Sequence, residues 1–81
     1  MARVSGQQDS EGHLAQLGLA IRQRRQARGV SQEALADAAG IDRSHMGKIE
    51  RGERNVTLLN VVRIADALDW KLAELFTAAE L

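Results

Sequence analysis

"SQEALADAAGIDRSHMGKIERGERN", residues 31–55, is the stretch whose reading decides the fold. Ser31 is an N-cap residue, and Gln32 and Glu33 follow it in a first turn that suits polar and negative groups. Leu35 and Ala38 or Ala39 give this helix an apolar face, and Gly40 closes it after about two turns. Asp42 is a second N-cap, opening a helix from Arg43 to about Arg51, and Gly52 ends that one. Two short helices are thus joined through "AAGID", a tight turn built on glycine.

The later helix has two unlike faces. At about 100° per residue, with Arg43 at zero, Gly47, Arg51, Ser44 and Lys48 fall within roughly 140° of it. Met46 and Ile49 lie opposite as apolar anchors, with His45 and Glu50 on the borders. An interior glycine costs about 1 kcal/mol relative to alanine, so Gly47 needs a reason. A basic face without a side chain at its centre suits a helix pressed into the major groove of DNA. Arg or Lys there can reach guanine O6 and N7, Ser can bond base edges, and Gly47 would let the backbone come close. The plainer alternative is a solvated face that only keeps the chain soluble.

Working outward, residues 1–11 are a polar tail, irregular unless docked, and residues 12–81 form the domain. From Leu14 the pattern turns helical through Leu17 and Ile21, and Gly29 ends that helix near Arg28. Beyond "ERNV", Thr57 caps a helix through "LLNVVRIADALDW", with Leu58, Val61, Val62, Ala65 and Leu68 facing inward. "KLAELFTAAEL" gives a last short helix with Leu72, Leu75 and Phe76 inward. No proline and no β-alternation interrupt this series. The expected fold is all-α, a compact five-helix bundle containing a helix-turn-helix unit.

Composition narrows the function. At 81 residues the chain is one small domain, and with no cysteine it has neither disulfide nor thiolate metal site. No apolar run approaches the roughly 20 residues that span a bilayer, and the N-terminus lacks a signal-peptide core, so the expected location is the cytoplasm. Net charge is zero, but it is unevenly spread: residues 1–20 carry −1, residues 21–56 carry +3 and residues 57–81 carry −2. A basic middle between acidic ends points to a polyanionic partner more than the total does. No nucleophile–base constellation, phosphate-cradling loop or metal cluster is visible, which argues against an enzyme. His45 has only His13 as a histidine companion, so no metal or other cofactor is expected.

"RRQARGVSQEALADAAGIDRSHMGKIERGERNVTLLNVVRIADALD" resembles the lambda-repressor/Cro-type family, the XRE-type regulators, over about Leu17 to Phe76. The spacing of "GVSQEALA", "AGID", "IERGERN" and "RIADAL" carries the resemblance. "GIDRS" with "IERGERNVTLL" looks most like the controller proteins of restriction–modification systems. The resemblance implies a lambda-repressor-like fold with the 31–39 helix across the DNA backbone and the 43–51 helix in the major groove. It gives Arg43, Ser44 and Lys48 to base edges, with Gly47 among them. Gln32 would touch phosphate or buttress the recognition helix, and His45, Arg51, Arg54 and Asn55 would hold the backbone. It also implies a structural salt bridge between Arg25 and Glu50.

Three positions depart from the family pattern: Arg24 stands where relatives often carry Leu, Val56 where Pro is common, and Leu59 where a polar residue is usual. Leu59, Trp70, Leu72 and Phe76 are therefore expected to form a surplus apolar surface for a homodimer, unless Trp70 caps its own core. Two recognition helices about 34 Å apart would read a pseudo-palindromic double-stranded operator. RNA polymerase joins the partners only if the protein activates; neither a membrane nor a small-molecule ligand is expected. The competing function is an antitoxin-like or other protein-interaction module on the same fold.

Overall fold

The computed structural model describes residues 4–81. A 3-10 turn at Gly6–Gln8 precedes five helices: α1 (His13–Ala27), α2 (Gln32–Ala39), α3 (Arg43–Glu50), α4 (Leu58–Ala67) and α5 (Leu72–Ala78). Among the described residues there is no strand. The N-caps of α2, α3 and α4 are those the sequence indicates. Ser31 accepts from the Ala34 amide, Asp42 from His45 and Thr57 from Asn60, each satisfying one of the amides that a helix start leaves unpaired. Gly40 takes a left-handed conformation, φ 69°, which lets the Ile41 amide return to the Ala36 carbonyl at 2.9 Å. That bond turns the chain sharply from α2 into α3.

The main helix packings form a closed circuit, α1 on α3, α3 on α2, α2 on α4, α4 on α5 and α5 back on α1. Ile21, Leu35, Met46, Ile49, Ile64, Leu68 and Leu75 fill its centre, fully buried. Met46 and Ile49 thus anchor α3 inward, and Ala39 rather than Ala38 completes α2. Two expectations are corrected. Leu58 is 65% exposed, not inward, because α4 begins there and its buried stripe runs through Val61, Ile64, Ala65 and Leu68, with Val62 at the edge. The helix also stops at Ala67: Asp69 turns left-handed, φ 54°, and Trp70 leaves the axis to return its amide to the Ala65 carbonyl.

Residues 4–11 of the expected tail are docked; residues 1–3 lie outside the described residues. Asp9 caps α1, its two oxygens accepting the His13 and Leu14 amides at 2.9 and 2.7 Å. Trp70, Leu72 and Phe76, expected on a surplus apolar surface, instead sit partly buried against their own core. Arg24 explains part of this. Its guanidinium lies 4.9 Å from the Trp70 ring centroid and donates to the Leu68 and Asp69 carbonyls, clamping the end of α4. Only Leu59 of that set is strongly exposed, at 61%.

Two features fix α3 against α1. Gly18 is buried where a Cβ would stand 2.4 Å from the carbonyl oxygens of Ile49 and Glu50, so the helices meet backbone to backbone. Beside it, Arg25 and Glu50 form a bidentate pair: Nε donates to Oε2 at 2.8 Å and Nη2 to Oε1 at 3.0 Å. Both side chains are shielded, 12% and 3% exposed. Arg25 also donates to the Val30 carbonyl, and Gln32 of α2 donates its amide to Glu50 Oε1 at 3.1 Å. The hydrogen bonds to Glu50 raise the Arg25 pKa above its ordinary value, against a smaller opposing effect of burial, with Coulomb attraction adding to the rise. The expected Arg25–Glu50 bridge is present, with Gln32 as a third member.

Removing one partner of such a pair strands the other's charge, so Glu50→Ala should lower the unfolding free energy by about 3–5 kcal/mol in denaturant titration. A loss below about 1 kcal/mol would show that the pair does not hold α3. Gly18→Ala should be comparably damaging, because its new methyl would meet backbone that cannot move aside. A Gly18→Ala protein as stable as the parent would contradict the close crossing.

Candidate nucleic-acid interface

The elements so fixed present one polar end. Arg43 and Ser44, in the first turn of α3, are exposed, and Lys48 one turn on is half-exposed. A cation in the first turn opposes the helix dipole, which disfavours it by roughly 0.3–1 kcal/mol. Among the described residues Arg43 has no ion-pair partner to offset that. Arg43 is therefore an exposed cation left free to meet a partner.

Gly47, expected on this reading face, is buried, and that expectation is corrected. A Cβ there would stand 3.2 Å from Arg51 Nη1 and 3.3 Å from Gln32 Oε1. The space a side chain would fill is taken by the two neighbouring side chains, so Gly47 admits Gln32 and Arg51 rather than a DNA backbone. Gln32, weighed as phosphate contact or buttress, has its amide engaged by Glu50 in the buttress role. Both follow from the tight α2–α3 turn, which presses the start of α2 onto the middle of α3.

At the far end of α3, Arg51 Nε donates to Glu53 Oε2 at 2.6 Å, an exposed pair. The hydrogen bond from Arg51 holds the Glu53 carboxyl below its ordinary value of 4.5; slight desolvation opposes this, and the charges of Arg51, Lys48 and Arg54 deepen it. With the folded value depressed, the pairing is present at neutral pH and is lost only as pH falls below the ordinary glutamate range. Three cations therefore surround one carboxylate at this corner, and Arg51 is turned toward it.

His45, Glu53, Arg54, Asn55 and Thr57 line a cleft of about 750 Å³ together with Val4, Ser5, Gly6 and Gln7. A smaller cleft of about 460 Å³ joins Lys48 and Arg54 with Gly6 and Gln7. The cations, amides and hydroxyls of this cleft suit a phosphate backbone, while Val4 adds apolar surface and the Glu53 carboxylate opposes one. Three of the expected backbone-contacting residues, His45, Arg54 and Asn55, thus share one cleft. Asn55 is already engaged, its Nδ2 donating to the Val4 carbonyl at 2.8 Å. The roles of Gly18, Asp9 and the Val4–Gly6 segment were not anticipated. Gly18 carried a signal, an interior helix glycine away from any turn; Val4 and Gly6 carried none, since their partner lies about 50 positions away.

Comparison with known proteins agrees with this geometry. The helix-turn-helix family model HTH_3 matches residues 21–75. The control protein C.SmaI of Serratia marcescens is 40% identical over 57 residues, 70% of this chain and 68% of that protein. C.MunI of a Mycoplasma species is 39% identical over 57 residues, 70% of this chain and 77% of the relative. Among solved structures, the restriction-modification controller C.AhdI of Aeromonas hydrophila superposes with a TM-score of 0.76 at 49% identity, covering 78% of this chain and 96% of that one. The biofilm regulator SinR, solved in complex with DNA, gives 0.69 at 30% identity over 74% of this chain and 97% of its own. The chain belongs to the XRE-type helix-turn-helix family, as a DNA-binding transcriptional regulator of the kind its controller relatives are, and not an enzyme.

Proposed function

We propose that the protein is a controller-like regulator that binds a pseudo-palindromic operator as a homodimer in the cytoplasm and governs its own promoter. The observation that carries this is the outward set of Arg43, Ser44 and Lys48 on a helix that Met46, Ile49 and Glu50 hold inward, with His45 half-buried at its edge. Arg43 and Ser44 read base edges, and Lys48 reaches a base or a phosphate. His45 and Arg54 grip phosphates from the cleft, and Arg51, steered by Glu53, adds charge beside them. Gln32 acts through α3 by holding Glu50.

One helix reads too few bases for tight specific binding, so two copies act together on half-sites about one helical turn apart. Leu59 and the adjacent Leu58 are large, neighbouring and exposed, which supports the start of α4 as the centre of the dimer contact. Trp70, Leu72 and Phe76 would contribute only their uncovered edges.

Arg43→Ala should cost about 1–3 kcal/mol of operator affinity and relax base preference at one position of each half-site. Arg54→Ala should weaken all sequences alike and make log K about one unit less steep in log salt. Binding measured across single-base operator variants at several salt concentrations separates the two. Unaltered base preference in Arg43→Ala would refute the recognition role. Leu59→Glu should convert a dimer to a monomer in sedimentation and weaken operator binding together; a dimer of unchanged mass would place the contact elsewhere.

A further inference from the structure

The Val4–Gln8 segment is tied down beyond both of its ends. At one, Asp9 caps α1 through both carboxylate oxygens. At the other, the Val4 carbonyl receives the Asn55 amide, and Gly6 lies against the Glu53 carbonyl, where a Cβ would come within 2.6 Å of the oxygen. Gly6 is not among the positive-φ glycines, so its lack of a side chain serves close approach and not backbone conformation. The turn between is self-bracing: the Ser5 amide donates to Gln8 Oε1 at 2.7 Å and the Gln8 amide to the Ser5 carbonyl at 3.0 Å.

What this strap holds is the loop that carries Arg54. The loop runs from Gly52 to Thr57 between α3 and α4, and none of its side chains except Val56 is packed on the core. Its start is held, Gly52 resting on Ala15 of α1 and the Glu53 amide returning to the Lys48 carbonyl. Arg54 and Asn55 make no such backbone bond among the described residues, and a freer segment costs affinity when DNA selects one conformation. The strap borders both clefts that contain Arg54, and in them it faces His45 and Lys48 of α3.

We propose that the segment Val4–Gln8 is a positioning strap for DNA binding, which fixes the Glu53–Asn55 loop so that Arg54 meets the phosphate backbone, with the Asn55 side chain as its latch and not as a DNA ligand. This rests on the operator-binding function proposed above. The strap residues are positioning residues: they act through Arg54 and read no base. Their loss therefore changes the phosphate grip and leaves base preference alone.

The test uses the full chain with Gly6→Ala, which pushes the strap off Glu53, and Gln8→Ala, which removes the brace at an exposed position. The probe is a duplex that the wild-type protein selects from a random-sequence pool, with binding measured from about 50 to about 200 mM salt. Both variants should bind about fivefold to tenfold more weakly at the lower salt, with a salt slope shallower by about one and the same base preference. Their melting temperature should stay near that of the parent, and amide hydrogen exchange at Arg54 and Asn55 should quicken. Faster exchange with unchanged affinity and slope would overturn the strap's role while leaving operator binding intact. A collapse in melting temperature with altered base preference in both variants would make the segment a general structural support and overturn the proposal as well. If the wild type selects no sequence at all, the DNA reading fails and the strap proposal falls with it.

Discussion

The carboxylate of Glu50 is the point on which the arrangement depends. It is nearly sealed from solvent, so each of its oxygens must find a donor inside the protein. Arg25 supplies two from α1, and Gln32 supplies one from α2. A guanidinium fork fits a carboxylate in essentially one orientation, so the pair fixes the rotation of α3 about its own axis as well as its position. Rotation matters more than stability here. A turn of α3 by one residue's worth, about 100°, would carry Arg43 off the outward face and bring its neighbour Ser44 or Asp42 in its place. The gain of such a buried pair over a hydrophobic contact is small or negative, and register is its best-attested use.

Close approach supports the same constraint. Gly18 lets the carbonyls at the end of α3 rest on α1, and Gly47 gives Gln32 room to cross α3 on the way to Glu50. Each glycine gives up about 1 kcal/mol of helix propensity. In return, backbones approach to distances at which the Arg25–Glu50–Gln32 cluster can close. A short eight-residue α3 has too little propensity of its own to stand without this. Its order comes from Met46 and Ile49 in the core, from the ion pair, and from the Asp42 cap.

Local signals were legible and distant ones were not. The caps at Ser31, Asp42 and Thr57, the Gly40 turn and the inward pair Met46 and Ile49 all depend on neighbours within four residues, and each is found where periodicity and cap chemistry put it. The family pattern supplied Arg25–Glu50, a contact that spacing alone does not reveal. Gly47 was misjudged because a helical wheel shows direction but not what else lies along it; Gln32 reaches in from α2. Leu58 was misjudged because a helix's first residue can point clear of the stripe that follows. For Trp70 the sequence leaves surface and core both open, because its covering group is Arg24, a charged residue whose stacking and carbonyl bonds no hydropathy pattern records. The strap was invisible for the same reason: Val4 and Asn55 are joined only by the fold.

Charge shows how far a count differs from an interface. Residues 21–56 hold eight basic side chains, yet Arg24, Arg25 and Arg51 are engaged within the chain, on Trp70, Glu50 and Glu53. What a polyanion can meet is the remainder that the fold leaves outward: Arg43 stands at the start of α3, and Lys48 and Arg54 share a cleft toward its other end. Glu53 sits among them and partly cancels their field. Since sequence-independent binding scales with the number of phosphates neutralised, a carboxylate at that corner lowers affinity for arbitrary DNA. It would leave the base contacts proposed for Arg43 and Ser44 nearly untouched, because such contacts depend on geometry within the groove. A chain of zero net charge can therefore bind a polyanion selectively. Its modest local excess favours encounter, and the register set by Glu50 decides what is read.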